Sequence, residues 1–97
     1  MSAMRFDKLV PSPDVLMQSV VGESVLLDLR SQKYFGLNEV GTRAWLLLQE
    51  TGDARAVHAR LAREYAVAAA ELERDLDALF ERLLRAGLVA EAGRAKA

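Results

Sequence analysis

The spacing of apolar residues along the chain changes period once, and the change falls between Leu37 and Asn38. Before that point the pattern is that of strands. "VLMQSVV" at 15–21 and "SVLLDLR" at 24–30 are dense in β-branched and aliphatic residues, and "GE" between them reads as a short hairpin connection. In the second run Val25, Leu27 and Leu29 fall on one face and Leu26, Asp28 and Arg30 on the other, the period of a sheet with one buried side. A turn at Ser31 and Gln32 leads into "KYFGL" at 33–37. The three runs predict an antiparallel meander whose last strand can lie at an edge, with unpaired backbone groups along it.

From Asn38 onward the apolar residues return at helical intervals. Asn38 is a good N-cap, Glu39 suits the first turn, and Val40, Ala44, Leu47 and Leu48 share a face with Trp45 beside it. Gly52 ends this helix and Asp53 caps the next, in which Ala54, Val57, His58, Leu61 and Tyr65 keep the spacing of one amphipathic face. A third helix over 69–86 starts from a weak cap at Ala68 and stops at Gly87. Leu72, Leu76, Leu79 and Leu83 form its narrow stripe, which Phe80 and Leu84 widen, so the helix can pack against more than one surface.

The order of elements gives an α+β domain, a winged helix-turn-helix-like arrangement of a three-stranded antiparallel sheet followed by three α-helices. Pro11 and Pro13 disfavour helix and lack a ladder donor, so 1–14 is expected to be an irregular lead-in to a domain at 15–90. Residues 88–90 are expected to cover the bottom of the core. The Ala-rich polar end, 91–97, is expected to fray.

Composition narrows the function. A chain of 97 residues makes one modest core and no cleft between domains, and a formal net charge of −1 leaves no basic excess for a polyanion. The absence of cysteine excludes disulfides, thiolate nucleophiles and cysteine-held metals, and suits the cytoplasm. No apolar run is long enough to cross a bilayer, and the N-terminus lacks the apolar core of an export signal, so no membrane partner is expected.

Catalytic chemistry is equally sparse. His58, the only histidine, sits at the inner edge of an amphipathic helix with no acid three or four residues away, which makes it a structural residue. Glu71, Glu73, Asp75, Asp77 and Glu81 alternate with Arg74, Arg82 and Arg85, as on a solvated face rather than in a metal cluster. "GLNEVG" lacks the third glycine and the downstream lysine of a phosphate loop, and Gly41 within it fits a close approach of packed groups. A winged helix also raises DNA binding as the alternative function. The helix that would enter the groove carries five acids and three bases, which repels phosphates.

"LLDLRSQKYFGLNEVGTRAWLLL", then "LAREYAV" and "ELERDLDALFERLLRAGLV", together resemble the PqqD-like family of leader-peptide-binding modules called RiPP recognition elements. The similarity covers 15–89. Its most specific parts are the tyrosine-containing strand ending in "LN", the following "GTRAW", the "EY" with Val67, and the last helix with Asp75 and "GLV". The resemblance implies three strands and three helices, no catalysis and no cofactor. It also implies a partner: the leader of a ribosomally made precursor peptide, added antiparallel to the third strand and packed against the third helix. A separate processing enzyme, such as a leader peptidase or radical SAM enzyme, then acts on the precursor. Members serving pyrroloquinoline quinone synthesis usually carry a "PE" pair ahead of the "LN" segment, where this chain has "DLRSQKYFG". The form found here looks more like the stand-alone leader binders of lasso-peptide clusters.

The residues themselves point the same way. An exposed strand edge at Lys33, Tyr34, Phe35, Gly36 and Leu37 offers ladder hydrogen bonds to an extended peptide. Leu72, Leu76, Leu79 and Leu83 supply apolar anchors, with Asp75 and Arg82 at the rim to steer charged leader residues. For Leu76, Leu79 and Leu83 core packing explains the pattern as well as peptide contact does, and Lys33 also fits as a gatekeeper of the edge. Tyr34 and Phe35 point to opposite faces, and the pattern leaves open which one faces the core. The same edge could also pair two copies of the chain, so a monomer or a weak homodimer is expected.

Overall fold

A computed structural model describes residues 5–92. In chain order the elements are β1 Leu9–Pro11, β2 Val15–Val20, β3 Glu23–Asp28, β4 Lys33–Leu37, α1 Glu39–Thr51, α2 Ala54–Glu64, α3 Ala69–Arg85 and β5 Val89–Glu91. The expected meander is present as a three-stranded antiparallel sheet in the order β2-β3-β4, with three helices after it. Its hairpin turns at Val21 and Gly22, where Gly22 takes a φ of 76° that a side chain would resist, one residue earlier than the expected "GE". The second connection is longer than "SQ". Lys33 pairs with Asp28, so four residues, 29–32, make the loop.

The lead-in is not irregular throughout. Leu9–Pro11 pairs antiparallel with Val89–Glu91 as a separate two-stranded sheet. Two further bonds anchor this segment to the helical layer: Leu9 N–H donates to the Gly52 carbonyl at 3.1 Å, and Ala54 N–H donates to the Asp7 carbonyl at 2.6 Å. Pro11 is tolerated because it ends its strand, and the next donor, Ser12 N–H, reaches the Leu88 carbonyl at 2.9 Å. The segment thereby carries Phe6 and Leu9 into the core, Phe6 standing edge-on to Phe80 with ring centroids 6.3 Å apart. Glu91 of the expected frayed end also belongs to β5, while 93–97 lie outside the described residues.

Two caps set the helical layer. The Asn38 side chain accepts from Gly41 N–H at 2.8 Å, and Asp53 accepts from Arg55 N–H at 2.9 Å and Ala56 N–H at 3.3 Å. Between α1 and α2, Gly52 takes a left-handed φ of 63° and its N–H closes on the Leu48 carbonyl. α3 has no side-chain cap, as expected from Ala68. The core is filled by Trp45, Leu47 and Leu48 of α1, Val57 and Leu61 of α2, Leu72, Leu76, Phe80 and Leu83 of α3, and Leu26 of β3. His58 has the structural role expected of it, its Nε2 donating to the Ala69 carbonyl at 3.1 Å and tying α2 to the start of α3.

On β3 the buried side is the less apolar one. Ser24, Leu26 and Asp28 face in, while Val25 and Leu27 stay half-exposed and Leu29 is exposed. The two inward polar side chains are satisfied locally. Ser24 shares a 2.7 Å hydrogen bond with Thr42 of α1, and Asp28 accepts from Arg30 N–H and Ser31 Oγ, each at 3.0 Å. Buried polar groups with partners cost little, so the sheet can turn its more apolar face outward.

Four carboxyls are held below their ordinary values by donors. These are Asp28 by the Arg30 backbone N–H, Asp53 by Lys8, Glu64 by Arg43 and Glu81 by Arg5. Each binds its proton less tightly in the folded than in the unfolded chain. Their contribution is therefore complete above the ordinary values, 4.5 for Glu and 3.8 for Asp, and is lost as pH falls below them. The urea midpoint should be flat from about pH 7 to 5 and then drop steadily toward about pH 3. A midpoint constant across the lower interval would contradict these assignments.

Candidate functional site: a strand edge opening on a groove

β4 pairs only with β3, so its other edge is free among the described residues. Which of its backbone groups face that edge follows from one bond. Leu29 N–H donates to the Asp14 carbonyl at 2.9 Å, continuing the β2–β3 ladder in which Val15 faces Asp28. Antiparallel strands alternate the direction of their backbone groups. The odd residues of β3 therefore bond toward β2, and Ser24, Leu26 and Asp28 bond toward β4, where their partners are Leu37, Phe35 and Lys33. The N–H and C=O groups of Tyr34 and Gly36 are left pointing to the free edge.

The same register settles the side chains. Phe35 lies opposite the buried Leu26 and packs half-buried against the core, whereas Tyr34 lies opposite Leu27 on the outer face and is 74% exposed. Arg82 of α3 reaches across with its guanidinium carbon 4.9 Å from the centre of the Phe35 ring, a cation–π contact that joins helix and strand over the end of the groove.

Between the β4 edge and α3 lies a groove of about 540 Å³. Its floor is Leu37, Leu72 and Leu76, and its α3 wall is Asp75, Ala78, Leu79 and Arg82. Val40 and Gly41 close the α1 side, and Tyr65 and Val67 the connection between α2 and α3. Gly41 packs closely at the joint. A Cβ there would sit 3.2 Å from Asn38 Oδ1 and 3.3 Å from Leu37 Cδ2, so a larger residue would require the capping side chain or the Leu37 side chain to shift by a few tenths of an ångström. The groove is apolar at its base and charged at its rim, with Glu71 and Asp75 toward the start of α3 and Arg82 further along.

The family described as coenzyme PQQ synthesis protein D (PqqD) matches residues 23–89. The chain belongs to the PqqD family. Among solved structures, TbiB1 in complex with the TbiA(beta) leader peptide is 34% identical, with a TM-score of 0.75 over 81% of this chain and 92% of that one. A lasso peptide synthetase B1 complexed with its leader peptide is 28% identical, with a TM-score of 0.74 over 86% of this chain and 98% of that one. A comparison with curated proteins gives no match. These relatives share the α+β arrangement of sheet and helices expected from the sequence.

Set on this PqqD fold, the residues singled out in the sequence divide into three groups. Gly36, Leu37, Leu72, Asp75, Leu76, Leu79 and Arg82 line the groove together, and Phe35 adjoins it through Arg82. Lys33 and Tyr34 are exposed on β4 outside the groove, and Leu83 is core, 1% exposed and away from the lining. Val40, Tyr65, Val67, Glu71 and Ala78 line it as well and were not singled out. Glu71, Asp75, Ala78 and Arg82 recur at intervals of four, three and four, so a helical stripe flanking the leucines was there to be found. Val40 belongs to the periodic face of α1 and Val67 to the connection before α3, so neither lies on the α3 stripe.

Among the described residues no group of three or more histidine, cysteine or acidic side chains is placed to hold a metal, and no helix is long and apolar enough to cross a membrane.

Proposed function

We propose that this protein is a non-catalytic binding module for the leader of a ribosomally synthesised precursor peptide, of the lasso-peptide kind. The leader adds antiparallel to the free edge of β4, bonding to Tyr34 and Gly36, and lays alternate apolar side chains into the groove against α3. One observation carries this reading: a free strand edge opens directly onto an apolar groove, so a single extended segment can satisfy backbone and side-chain demands together. Support comes from the two similar solved structures, both of them complexes with leader peptides. Leu37, Leu72, Leu76 and Leu79 act as anchors, and the rim favours a basic leader residue near Glu71 and Asp75 and an acidic one near Arg82. The bound precursor is then presented to a separate enzyme, such as a leader peptidase or radical SAM enzyme. No step asks this chain for a catalytic group.

Fluorescence anisotropy with the labelled synthetic leader of the precursor encoded beside this chain's gene tests the proposal. A Kd of about 10 μM or tighter is expected, and one near 1 mM would overturn it for that peptide. Binding of duplex DNA is not expected, since Glu71 and Asp75 are exposed on α3, where their charge would repel phosphates.

A further inference from the structure

The sheet has a second free edge. β2 pairs only with β3 among the described residues, so its far side is open like that of β4. The odd residues of β3 bond toward β2, where their partners are Val20, Gln18 and Leu16, and the Leu29 N–H donates to the Asp14 carbonyl. Alternation then turns the backbone groups of Val15, Met17 and Ser19 away from β3. The Val15 N–H is taken by the Ser12 carbonyl at 3.3 Å. Met17 and Ser19 each keep a free N–H and C=O on the open side.

This edge lacks the protection that exposed edges usually carry. β4 begins at Lys33 and has Arg82 drawn across its Phe35 ring, whereas β2, "VLMQSV", holds neither a charge nor a proline over its 6 residues. A long uncharged edge is a template for another strand. The side chains along it are apolar or neutral and open, with Leu16 55% and Val20 59% exposed and Gln18 and Ser19 exposed between them.

We infer that the strand added here is β2 of a second copy of the chain, paired antiparallel about a two-fold axis at Gln18. In that register Met17 lies opposite the partner's Ser19 and Ser19 opposite the partner's Met17, so the free N–H and C=O groups of both residues are all used, in four ladder bonds. Centring the pair on Met17 instead would set Ser19 opposite Val15, whose N–H is already committed, and leave the Ser19 carbonyl without a donor. On the outer face Leu16 meets the partner's Val20, and the two Gln18 amides meet at the axis, where each can donate to the other and accept from it. A second copy fits because the strand is neutral and matches itself under two-fold symmetry. The contact is a strand edge and little more, so the dimer is weak. It makes one sheet of six strands with a β4 at each end, and both leader edges stay open.

Sedimentation velocity of the full chain without peptide, from about 10 μM to about 1 mM, reads the pairing as a rise in weight-average mass from 10.7 kDa toward twice that value. Ser19→Pro removes two of the four bonds at an exposed position whose N–H takes no part in the β2–β3 ladder. Gln18→Lys sets two like charges against each other at the axis. Each should raise the dimer dissociation constant about tenfold or more, and Tyr34→Pro should leave it within about twofold of native. Thermal melts check folding, and Gln18→Lys decides alone if Ser19→Pro melts early. A native chain still at single-chain mass at about 1 mM refutes the dimer, and so does a dimer that both β2 variants keep within about twofold. A dimer lost in Tyr34→Pro would place the contact on β4 and overturn the assignment to β2. None of these outcomes depends on leader binding, so the leader proposal stands or falls by its own titration.

Discussion

Tyr34→Pro should weaken leader binding by about thirtyfold or more while leaving the fold in place. The N–H of Tyr34 points to the free edge, because the β2–β3 ladder directs the even residues of β3 toward Phe35, Leu37 and Lys33. Proline there takes no bond from the sheet and suits an edge strand. On the proposed strand addition it takes a donor from the peptide and sets a ring where the added strand would lie, and a carbonyl stranded in this way costs about 1–3 kcal/mol. Tyr34→Ala serves as the control for the loss of the side chain. Phe35→Pro should behave in the opposite manner, removing a ladder bond to Leu26 and a half-buried ring under Arg82, and should destabilise the domain itself by more than about 2 kcal/mol. Should Tyr34→Pro bind within threefold of native, the peptide does not pair with this edge.

The second large effect separates core from contact on α3. Leu76 lines the groove yet is 1% exposed and belongs to the core, so Leu76→Ala should cost about 2–5 kcal/mol of stability, read from the urea midpoint. Trp45, the only tryptophan and fully buried, supplies the fluorescence signal. Leu79, one turn along, is only partly buried against that core. Leu79→Ala should cost about 1 kcal/mol of stability but about tenfold in leader affinity. A Leu79→Ala protein with native affinity would remove this residue from the contact set, and a Leu76→Ala protein of native stability would contradict the packing of α3.

Much of this was legible along the chain, for local reasons. Asn38, Gly52, Asp53 and Gly87 mark helix ends because capping involves backbone groups within a few residues, and each appears where the structure uses it. The change of period at Leu37 placed the edge strand and its helix. The inward face of β3 was harder to read. Ser24 and Asp28 look like surface residues until Thr42, from the following helix, and the loop at Arg30 and Ser31 are brought to them. The lead-in was misread for a similar reason, since its prolines are local signals while its partners, 78 to 82 positions away in the pairing of Leu9–Pro11 with Val89–Glu91, are not.

The sequence by itself determined the types of the three meander strands and three helices, the helix boundaries, the absence of cysteine chemistry and the resemblance on which the family rests, all of which depend on residue identity and short-range spacing. Only the tertiary structure decided that Phe35 faces in and Tyr34 out, that Leu83 is core while Val40 and Val67 help enclose the groove, and that Tyr34 and Gly36 present the free backbone groups. Those outcomes depend on strand register and on which remote surfaces meet. A strand repeats every two residues, so its pattern names two faces, and only the layer packed against it selects the buried one.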